Sequence, residues 1–498
     1  MKFKIILSIA IALLFFLMAS GTALAGSDPI QIYTLEDLMN IGTPENLSEN
    51  YILMADIDVG AEETDDLKFV PIGTSEHSFR GTFNGNNHTI SNITFSNNQM
   101  NHVGVFGYAG KPSVIYDLSL KNVDLIGNSG VGALVGRASV ATIKNCSVIN
   151  SDDYGIFGRD NVGGLIGVLG TSSVFDSYAA TYVAGNSYVG GLVGSSTNSV
   201  VSDSNAVGNV KGTYYIGGLV GSLTNEFISG SSATGNIESF SESGGLVGFM
   251  EKSNVSECYA TGDILIKNGG GYSGGLVGSM TLSTVSCSYA TGVVKGYVYA
   301  GGLVGRVYDG SAVRDSFYIG APSSDDSAFG FFITPDELKQ ISTFTTLKSD
   351  GGRVSKIWNI SSEPDSGSVW YINEGIGYPQ FFKNYAPPEL SDLPDLPPST
   401  VSPNDDGSSS GYGKAEIIDL EPTKPEPSIS LPGPEIIEIL DSLSVSEKPA
   451  NSMVEPVGSI AEPVGSMDEE TGSNGIGILL ICLFVILACV LIITLRQR

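Results

Sequence analysis

A glycine-rich pentapeptide recurs through the middle of this chain at a nearly constant spacing. Its strict form, Gly-Gly-Leu-Val-Gly, begins at residues 190, 217, 244, 274 and 301, and looser copies end at residues 107, 136 and 167. The strict copies therefore begin 27 or 30 residues apart. A repeat of this length predicts a stacked fold in which each unit contacts mainly the units before and after it.

The residues between the glycines favour strands over helices. In the unit Ser195–Gly221, short apolar or β-branched runs lie near Val200-Val201, at Ala206–Val210 and at Tyr214–Val220. Three short strands joined by turns are typical of one rung of a parallel β-helix, with rungs about 4.8 Å apart. We therefore predict an all-β fold, a single-stranded, right-handed parallel β-helix with short capping helices.

The repeated glycines have two possible roles in such a coil. They can permit a positive φ at a corner, or they can let the backbones of neighbouring rungs approach closely. The sequence also leaves open whether Leu192 or Val193 faces inward.

The repeat resembles the GLUG motif. The resemblance rests on the pentapeptides, on Asp176–Ala179 and Ser288–Gly292, and on flanking segments such as Phe79–Gly85 and Tyr371–Gly375. It covers roughly residues 30–385. The motif occurs in adhesin-like surface proteins of archaea and bacteria and in some large secreted peptidases. The resemblance implies a repeat architecture and a surface location, but it implies no catalytic centre.

The two ends of the chain predict export and anchoring. Residues 1–25 have the basic start, apolar core and Ala-x-Ala ending of a secretory signal peptide, although an uncleaved anchor is the alternative. Residues 476–495 form an uncharged apolar run long enough to span a bilayer, followed by a cytoplasmic tail at 496–498. The basic tail disfavours the competing interpretation, a GPI signal.

A segment of different composition lies between the repeats and the predicted membrane span. Residues 386–475 contain 14 of the 22 prolines and 18 acidic residues against three lysines. Such a segment cannot bury a core, so we predict a disordered tether.

The repeats at 100–320 should be closed at both ends. Residues 26–99 are predicted to form an N-terminal cap and the first coils, with a helix that starts at Thr34. Residues 321–385 are predicted to form a C-terminal cap, with a helix that starts at Thr334. Trp358 and Trp370 belong either to the core of this cap or to a platform that stacks on carbohydrate.

Six Asn-x-Ser/Thr sequons are possible glycosylation sites in an exported protein. They are Asn46, Asn87, Asn92, Asn145, Asn254 and Asn359.

Carboxylates recur at about the same phase of several repeats. Asp176, Asp203, Glu257 and Asp315 share this phase, and Ser231 and Ser286 are taken as the intervening equivalents. These acids could be turn residues, calcium ligands or catalytic groups, of which turn residues are favoured. The three histidines do not have the spacing of a zinc-peptidase helix, and the cysteines do not predict a disulfide framework. We predict no catalytic, cofactor-binding or metal-binding residues.

The net charge of the chain limits the classes of partner that it can bind. A formal net charge of −28 disfavours nucleic acid as a ligand. We expect a membrane-anchored extracellular protein, adhesin-like and not an enzyme, that binds glycans or cell-surface or envelope proteins, or that builds the envelope. One alternative is a carbohydrate-active enzyme, a polysaccharide lyase or glycosidase, and another is a purely structural envelope component. An exposed aromatic row would favour glycan binding, whereas converging acidic and basic side chains would favour an enzyme.

Overall fold

Parallel stacking of equivalent residues dominates the computed structural model. The model describes residues 28–267, 271–295, 299–308, 310–319, 329–346, 349–350, 353–354, 358–362 and 368–381. Within these ranges the chain forms an all-β parallel solenoid of about nine turns. The register follows the repeat, since Val193 pairs with Val220, Val220 with Val247, Val247 with Val277 and Val277 with Val304.

The strands of the solenoid lie in three sheets. Sheet 2 has seven strands, and their bounds are Ser129–Gly132, Asp160–Gly163, Ser187–Gly190, Tyr214–Gly217, Ser243–Gly244, Tyr272–Gly274 and Tyr299–Gly301. Sheet 3 has eight strands, at Phe106–Ala109, Val135–Ser139, Ile166–Gly170, Val193–Thr197, Val220–Thr224, Val247–Glu251, Val277–Thr281 and Val304–Val307.

Sheet 1 is the largest, with 26 strands that wind around the rest of each rung. Their bounds are Ile30–Ile32, Tyr51–Leu53, Ile57–Asp58, Thr82–Asn84, Thr89–Ser96, Ser113–Ile126, Ala141–Ile149, Gly155–Phe157, Ser173–Phe175, Tyr178–Ala180, Tyr182–Ala184, Val200–Ser202, Asn205–Ala206, Val210–Lys211, Phe227–Ser229, Ser232–Ala233, Ile237–Ser239, Asn254–Ser256, Tyr259–Ala260, Ile264–Ile266, Thr284–Ser286, Tyr289–Ala290, Val294–Lys295, Ala312–Arg314, Phe317–Tyr318 and Phe331–Phe332.

A typical rung contains five short strands, so the expectation of three was wrong. The predicted run Ala206–Val210 is interrupted between Ala206 and Val210. The predicted run Tyr214–Val220 is divided as well: one strand ends at Gly217 and the next begins at Val220, because the pentapeptide turns the corner from sheet 2 to sheet 3.

Both apolar residues of the pentapeptide face inward. Leu192, Val193, Leu219 and Val220 all have 0% relative exposure. Strict alternation would bury only one residue of each pair, but the corner lies between sheets, where alternation does not apply. Equivalent leucines and valines therefore form two continuous columns in the core.

The pentapeptide glycines serve close approach and not positive φ. The positive-φ residues of the solenoid are other residues at other corners, such as Asp176 and Asn198, and the described pentapeptide glycines are not among them. A Cβ on Gly191 would lie 2.1 Å from the carbonyl oxygen of Gly218 on the next rung. One on Gly194 would lie 2.6 Å from the backbone nitrogen of Val162 on the preceding rung. Of the two roles considered for these glycines, only the second is confirmed.

At two left-handed corners of the repeating rung, the next residue is buried and belongs to a hydrogen-bonded ladder. The first serine ladder contains Ser172, Ser199, Glu226, Ser253, Ser283 and Ser311, and the second contains Cys146, Ser177, Ser204, Ser231, Cys258, Ser288 and Ser316. In the second ladder, the Ser204 hydroxyl donates to the Ser202 carbonyl (2.8 Å) and accepts the Ser177 N–H (3.1 Å). The hydroxyl thereby satisfies a backbone donor that the corner leaves without a strand partner.

Short helices lie near the two ends of the described solenoid. The first, Leu35–Asn40, has the predicted capping box at Thr34, and it buries Leu35 and Leu38. A second helix spans Val59–Glu62. Near the other end, Pro335–Leu338 has the predicted capping box at Thr334, and Ile341–Thr345 follows.

Small strand pairs complete the C-terminal cap. Ser349–Asp350 pairs antiparallel with Arg353–Val354. Ile360–Ser361, Trp370–Tyr371 and Gln380–Phe381 form a three-stranded sheet.

Four predicted segments lie outside the described residues: the signal peptide at 1–25, the tether at 386–475, the membrane span at 476–495 and the cytoplasmic tail at 496–498. Among the residues whose structure is described, no helix is long and apolar enough to cross a bilayer. The hand of the solenoid stays a prediction.

We expect Leu219→Asp and Val220→Asp to be about equally damaging, because each puts a charge into the core without a partner. The loss should exceed about 4 kcal/mol of unfolding free energy or abolish folding. Denaturant unfolding measures the effect, with Thr197→Asp on an exposed position of sheet 3 as the control. A harmless substitution at either buried position would contradict the two-column core.

Candidate functional site

The recurring acids occupy one left-handed corner of the rung. Asp176, Asp203, Glu257 and Asp315 have φ values of 48°, 50°, 55° and 51°. Their shared phase is therefore confirmed. Few side chains other than Asn, Asp and Gly adopt this backbone region readily. The corner gives most of these acids a conformational role, as the turn interpretation predicted.

The intervening members of this column were misassigned by one residue. The corner positions between the acids are Gly230 and Cys287, not Ser231 and Ser286. Ser286 is the last residue of the strand that precedes the corner, and Ser231 follows its corner as a member of the second serine ladder. The error arose because serines stand on both sides of the corner and blur its register.

Asp203 and Glu257 stand at this corner on either side of Gly230, and the charge of Asp203 affects the pKa of Glu257. A Cβ on Gly230 would lie 2.6 Å from Asp203 Oδ1, so the Asp203 side chain covers that glycine. Burial first, and the charge of Asp203 second, raise the pKa of Glu257. A carboxyl group with a raised pKa can act as a general acid. Among the described residues, no three His, Cys, Asp or Glu side chains gather as a metal site would require.

An axial series of aromatic and arginine side chains lies along the edge where sheets 2 and 3 meet, in three groups separated by other residues such as Val168 and Glu242. We call it the aromatic ridge and define it as His102, Tyr108, Arg137, Tyr188, Tyr215, Phe249, Tyr272, Arg306 and Tyr308. The Tyr188 and Tyr215 rings are stacked, with centroids 5.3 Å apart and planes 14° apart, and Phe249 is 5.3 Å from Tyr215.

The two other groups of the ridge each contain an arginine. The Arg306 guanidinium carbon lies 4.2 Å from the Tyr272 ring centroid and 4.3 Å from that of Tyr308. At the other end, Arg137 lies 5.9 Å from the Tyr108 centroid, and the His102 ring meets Tyr108 edge-on. Burial and Arg137 lower the pKa of His102. The ridge thus combines apolar ring surface, hydroxyl groups and pre-oriented cations.

The two stacked tyrosines stand at strained backbone positions. Tyr188 and Tyr215 both have φ of 58°, and the equivalent residue one rung earlier is Asn161, with φ of 56°. Asparagine tolerates this region better than a bulky aromatic residue does. Sequence analysis did not single out these tyrosines, although their 27-residue spacing was visible.

The aromatic cluster of the C-terminal cap is core, as the simpler interpretation predicted. Trp358 and Trp370 are 3% and 1% exposed, and they pack with Phe317, Phe344 and Tyr289. Such buried rings cannot stack on a glycan, so the alternative interpretation of the tryptophans was wrong.

The three cysteines among the described residues differ in burial. Cys146 and Cys258 take serine places in the second ladder, and burial raises the pKa of each thiol to about 12. Cys287 is half-buried at the acid corner. Neither buried thiol is poised as a nucleophile.

The sequon asparagines have different surroundings. The amides of Asn46, Asn92 and Asn145 donate to Asn40 O (2.9 Å), Asp58 Oδ1 (2.9 Å) and Asp117 Oδ1 (2.7 Å) within the fold. Asn87 and Asn359 are exposed, and Asn254 is half-buried on a strand of sheet 1. Glycosylation of the six stays a prediction.

One rung of the solenoid matches a known family model, and two relatives match about a third of the chain. The family model described as the GLUG motif matches residues 185–211, which is one rung of the solenoid. Halomucin of Haloquadratum walsbyi is 33% identical over 154 residues, 30% of this chain and 2% of halomucin. A Gly-rich membrane protein of Evansella cellulosilytica is 29% identical over 155 residues, 30% of this chain and 16% of that protein. The chain thus matches only a small part of either relative.

Two solved structures share a distant likeness. An IgA1 protease matches 59% of this chain and 23% of its own length, with 20% identity and a TM-score of 0.37. An immunoglobulin A1 protease from Bacteroides ovatus matches 66% of this chain and 93% of its own, with 16% identity and a TM-score of 0.28. At these scores neither likeness bears on the function of this chain. The repeats, in contrast, carry the GLUG motif, which is matched at residues 185–211.

Proposed function

We propose that this chain is a membrane-anchored surface protein whose solenoid binds extracellular partners without catalysing a reaction. The partners are glycans or proteins of the cell surface or envelope. The observation that carries the proposal is the aromatic ridge, and above all its stacked tyrosines. Side chains kept at a strained backbone position more often serve a function than stability, and Tyr and Arg are the residues that most often dominate binding energy.

The location is supported by the terminal segments and by the relatives. Residues 1–25 carry an export pattern, and 476–495 can span a bilayer as a single pass. One relative is named a membrane protein. The solenoid would then stand outside the cell on the tether at 386–475, and many copies on one cell could bind together through their high effective concentration.

Protease treatment of intact cells should release the solenoid by cleavage within 386–475. The extended, proline-rich and acidic composition of this segment makes it the most accessible cleavage region. Immunoblotting of the medium with an antibody against the solenoid detects the release, and permeabilised cells provide the control. Recovery of an uncut chain from intact cells, with cleavage in the permeabilised sample, would argue against an outside location.

Ridge variants should separate binding from folding. Tyr188→Asn and Tyr215→Asn replace each tyrosine by the residue that the equivalent corner already carries at 161, so the fold should be retained. On an immobilised panel of neutral and acidic polysaccharides and envelope proteins, we expect each variant to bind about tenfold more weakly than the unmodified chain.

The matched control for this experiment is Tyr182→Asn. Tyr182 is 36% exposed, like Tyr188, but it lies on sheet 1, away from the ridge. Its variant should bind like the unmodified chain. Equal binding by the ridge variants would remove the ridge from the proposal. A chain that binds no member of the panel would favour the purely structural alternative.

A carbohydrate-active enzyme is the second candidate, and the Asp203–Glu257 pair is the observation that favours it. The raised pKa of Glu257 suits a general acid. The same panel tests this candidate through release of reducing ends or unsaturated sugars, and our proposal expects none. Turnover that Asp203→Asn or Glu257→Gln abolishes would establish the enzyme instead.

A further inference from the structure

The first serine ladder contains one member that the repeat does not predict. At the other places the serine hydroxyl donates to the carbonyl two residues back, as Ser199 does to Thr197 (2.9 Å) and Ser253 to Glu251 (2.7 Å). It also accepts an N–H from the rung before, such as that of Ser172 or Glu226 (both 3.1 Å). Glu226 takes the same place with a carboxyl group, and it is 1% exposed.

A second departure from the repeat lies beside the first. The inward column that contains Leu169, Leu223, Met250 and Met280 carries a serine at position 196. The Ser196 hydroxyl donates to Glu226 Oε1 (2.6 Å), and the backbone N–H of Ser199 donates to the same oxygen (3.2 Å). The smaller residue at 196 therefore comes with the larger residue at 226, and the two form one polar unit in the core.

The other carboxyl oxygen is an orphan. Glu226 Oε2 is buried and has no hydrogen-bond partner in the described part of the chain. The strands packed around it, at 193–197, 220–224, 227–229, 247–251 and 254–256, contain one ionisable residue, Glu251, whose side chain pairs with Lys252 at the surface. Burial raises the pKa of Glu226, and the hydrogen bonds from Ser196 and Ser199 lower it by less. The net result is a pKa of about 8.

We propose that Glu226 is held in the core of the solenoid as a neutral carboxylic acid, and that its ionisation destabilises the rungs at residues 193–229 as the pH rises. The chemical step is one deprotonation, in which the carboxyl O–H bond breaks and the proton passes to water. The remaining anion has one buried oxygen without a donor, and the strands packed around it carry no cation. An unsolvated charge of this kind is costly, so the local rungs open more readily.

The direction of the pH dependence follows from the pKa of Glu226 in the folded and in the unfolded chain. The folded pKa, about 8, lies above the ordinary value of 4.5 that the unfolded chain would show. The stability that the neutral acid contributes is fully present below the unfolded pKa and is lost as the pH rises towards 8. Within this window the folding equilibrium constant should fall roughly tenfold per pH unit on account of this group.

The test compares the purified chain with its Glu226→Gln variant in denaturant unfolding from pH 5 to pH 9, followed by far-ultraviolet circular dichroism. Glutamine keeps the shape of the side chain and cannot ionise, so the gap between the two stability curves should widen in favour of the variant as the pH rises. Glu251→Gln, which changes an acid that pairs with Lys252 at the surface of the next rung, should keep the slope of the unmodified protein. Parallel curves for the chain and Glu226→Gln would overturn the proposal.

Two further measurements keep the proposal open to refutation if Glu226→Gln does not fold. The double variant Ser196→Leu with Glu226→Ser gives both columns the residues that neighbouring rungs use, and it should also flatten the pH dependence. Infrared spectroscopy of the unmodified chain at pH 6 should show the carbonyl band of a buried protonated carboxylic acid, which the double variant lacks. Absence of that band from the unmodified chain would show that Glu226 is already ionised and would refute the proposal.

Discussion

The fold depends on the distance between consecutive backbones at the corner where sheet 2 meets sheet 3. At Gly191 the carbonyl of Gly218 occupies the space in which any side chain would begin, and Gly194 meets the preceding rung just as closely. Because the backbones touch there, Leu192 and Val193 can both turn inward. Close approach at one corner thereby sets the register that stacks the same residues over every rung, and it explains why the pentapeptide is the most regular part of the repeat.

Away from that corner, a second requirement is to satisfy backbone N–H groups, because the left-handed corners leave some of them without a partner in a neighbouring strand. Buried serines accept these N–H groups rung after rung, and a hydroxyl suits the task because it also donates to a nearby carbonyl. The residue type at these corners varies from rung to rung. The acids and Cys287 stand at such corners, and the stacked tyrosines stand at left-handed positions within strands of sheet 2, so variation that carries function is compatible with an unchanged core.

The sequence predicted what depends on period and local chemistry, namely the stacked β architecture, the two capping boxes and the buried tryptophans of the cap. It could not resolve what depends on contacts between rungs. The role of Gly191 is set by a carbonyl 27 residues away, the inward turn of both Leu219 and Val220 by the corner geometry, and the true acid column by a register that neighbouring serines obscure. Glu226 was not singled out in the sequence, because only the ladder reveals that its place is buried.

The most direct test of this account is the stability of two glycine-to-alanine variants in denaturant unfolding. Gly191→Ala places a Cβ 2.1 Å from a backbone oxygen, whereas the Cβ of Gly170→Ala, on a strand of sheet 3, would lie at an ordinary contact distance of 3.7 Å from the Ala138 carbonyl oxygen. We predict that Gly191→Ala loses about 3 kcal/mol or more, because backbone cannot move aside without breaking the register. Gly170→Ala should be nearly neutral. Equal stability of the two variants would contradict the claim that close backbone approach organises the fold.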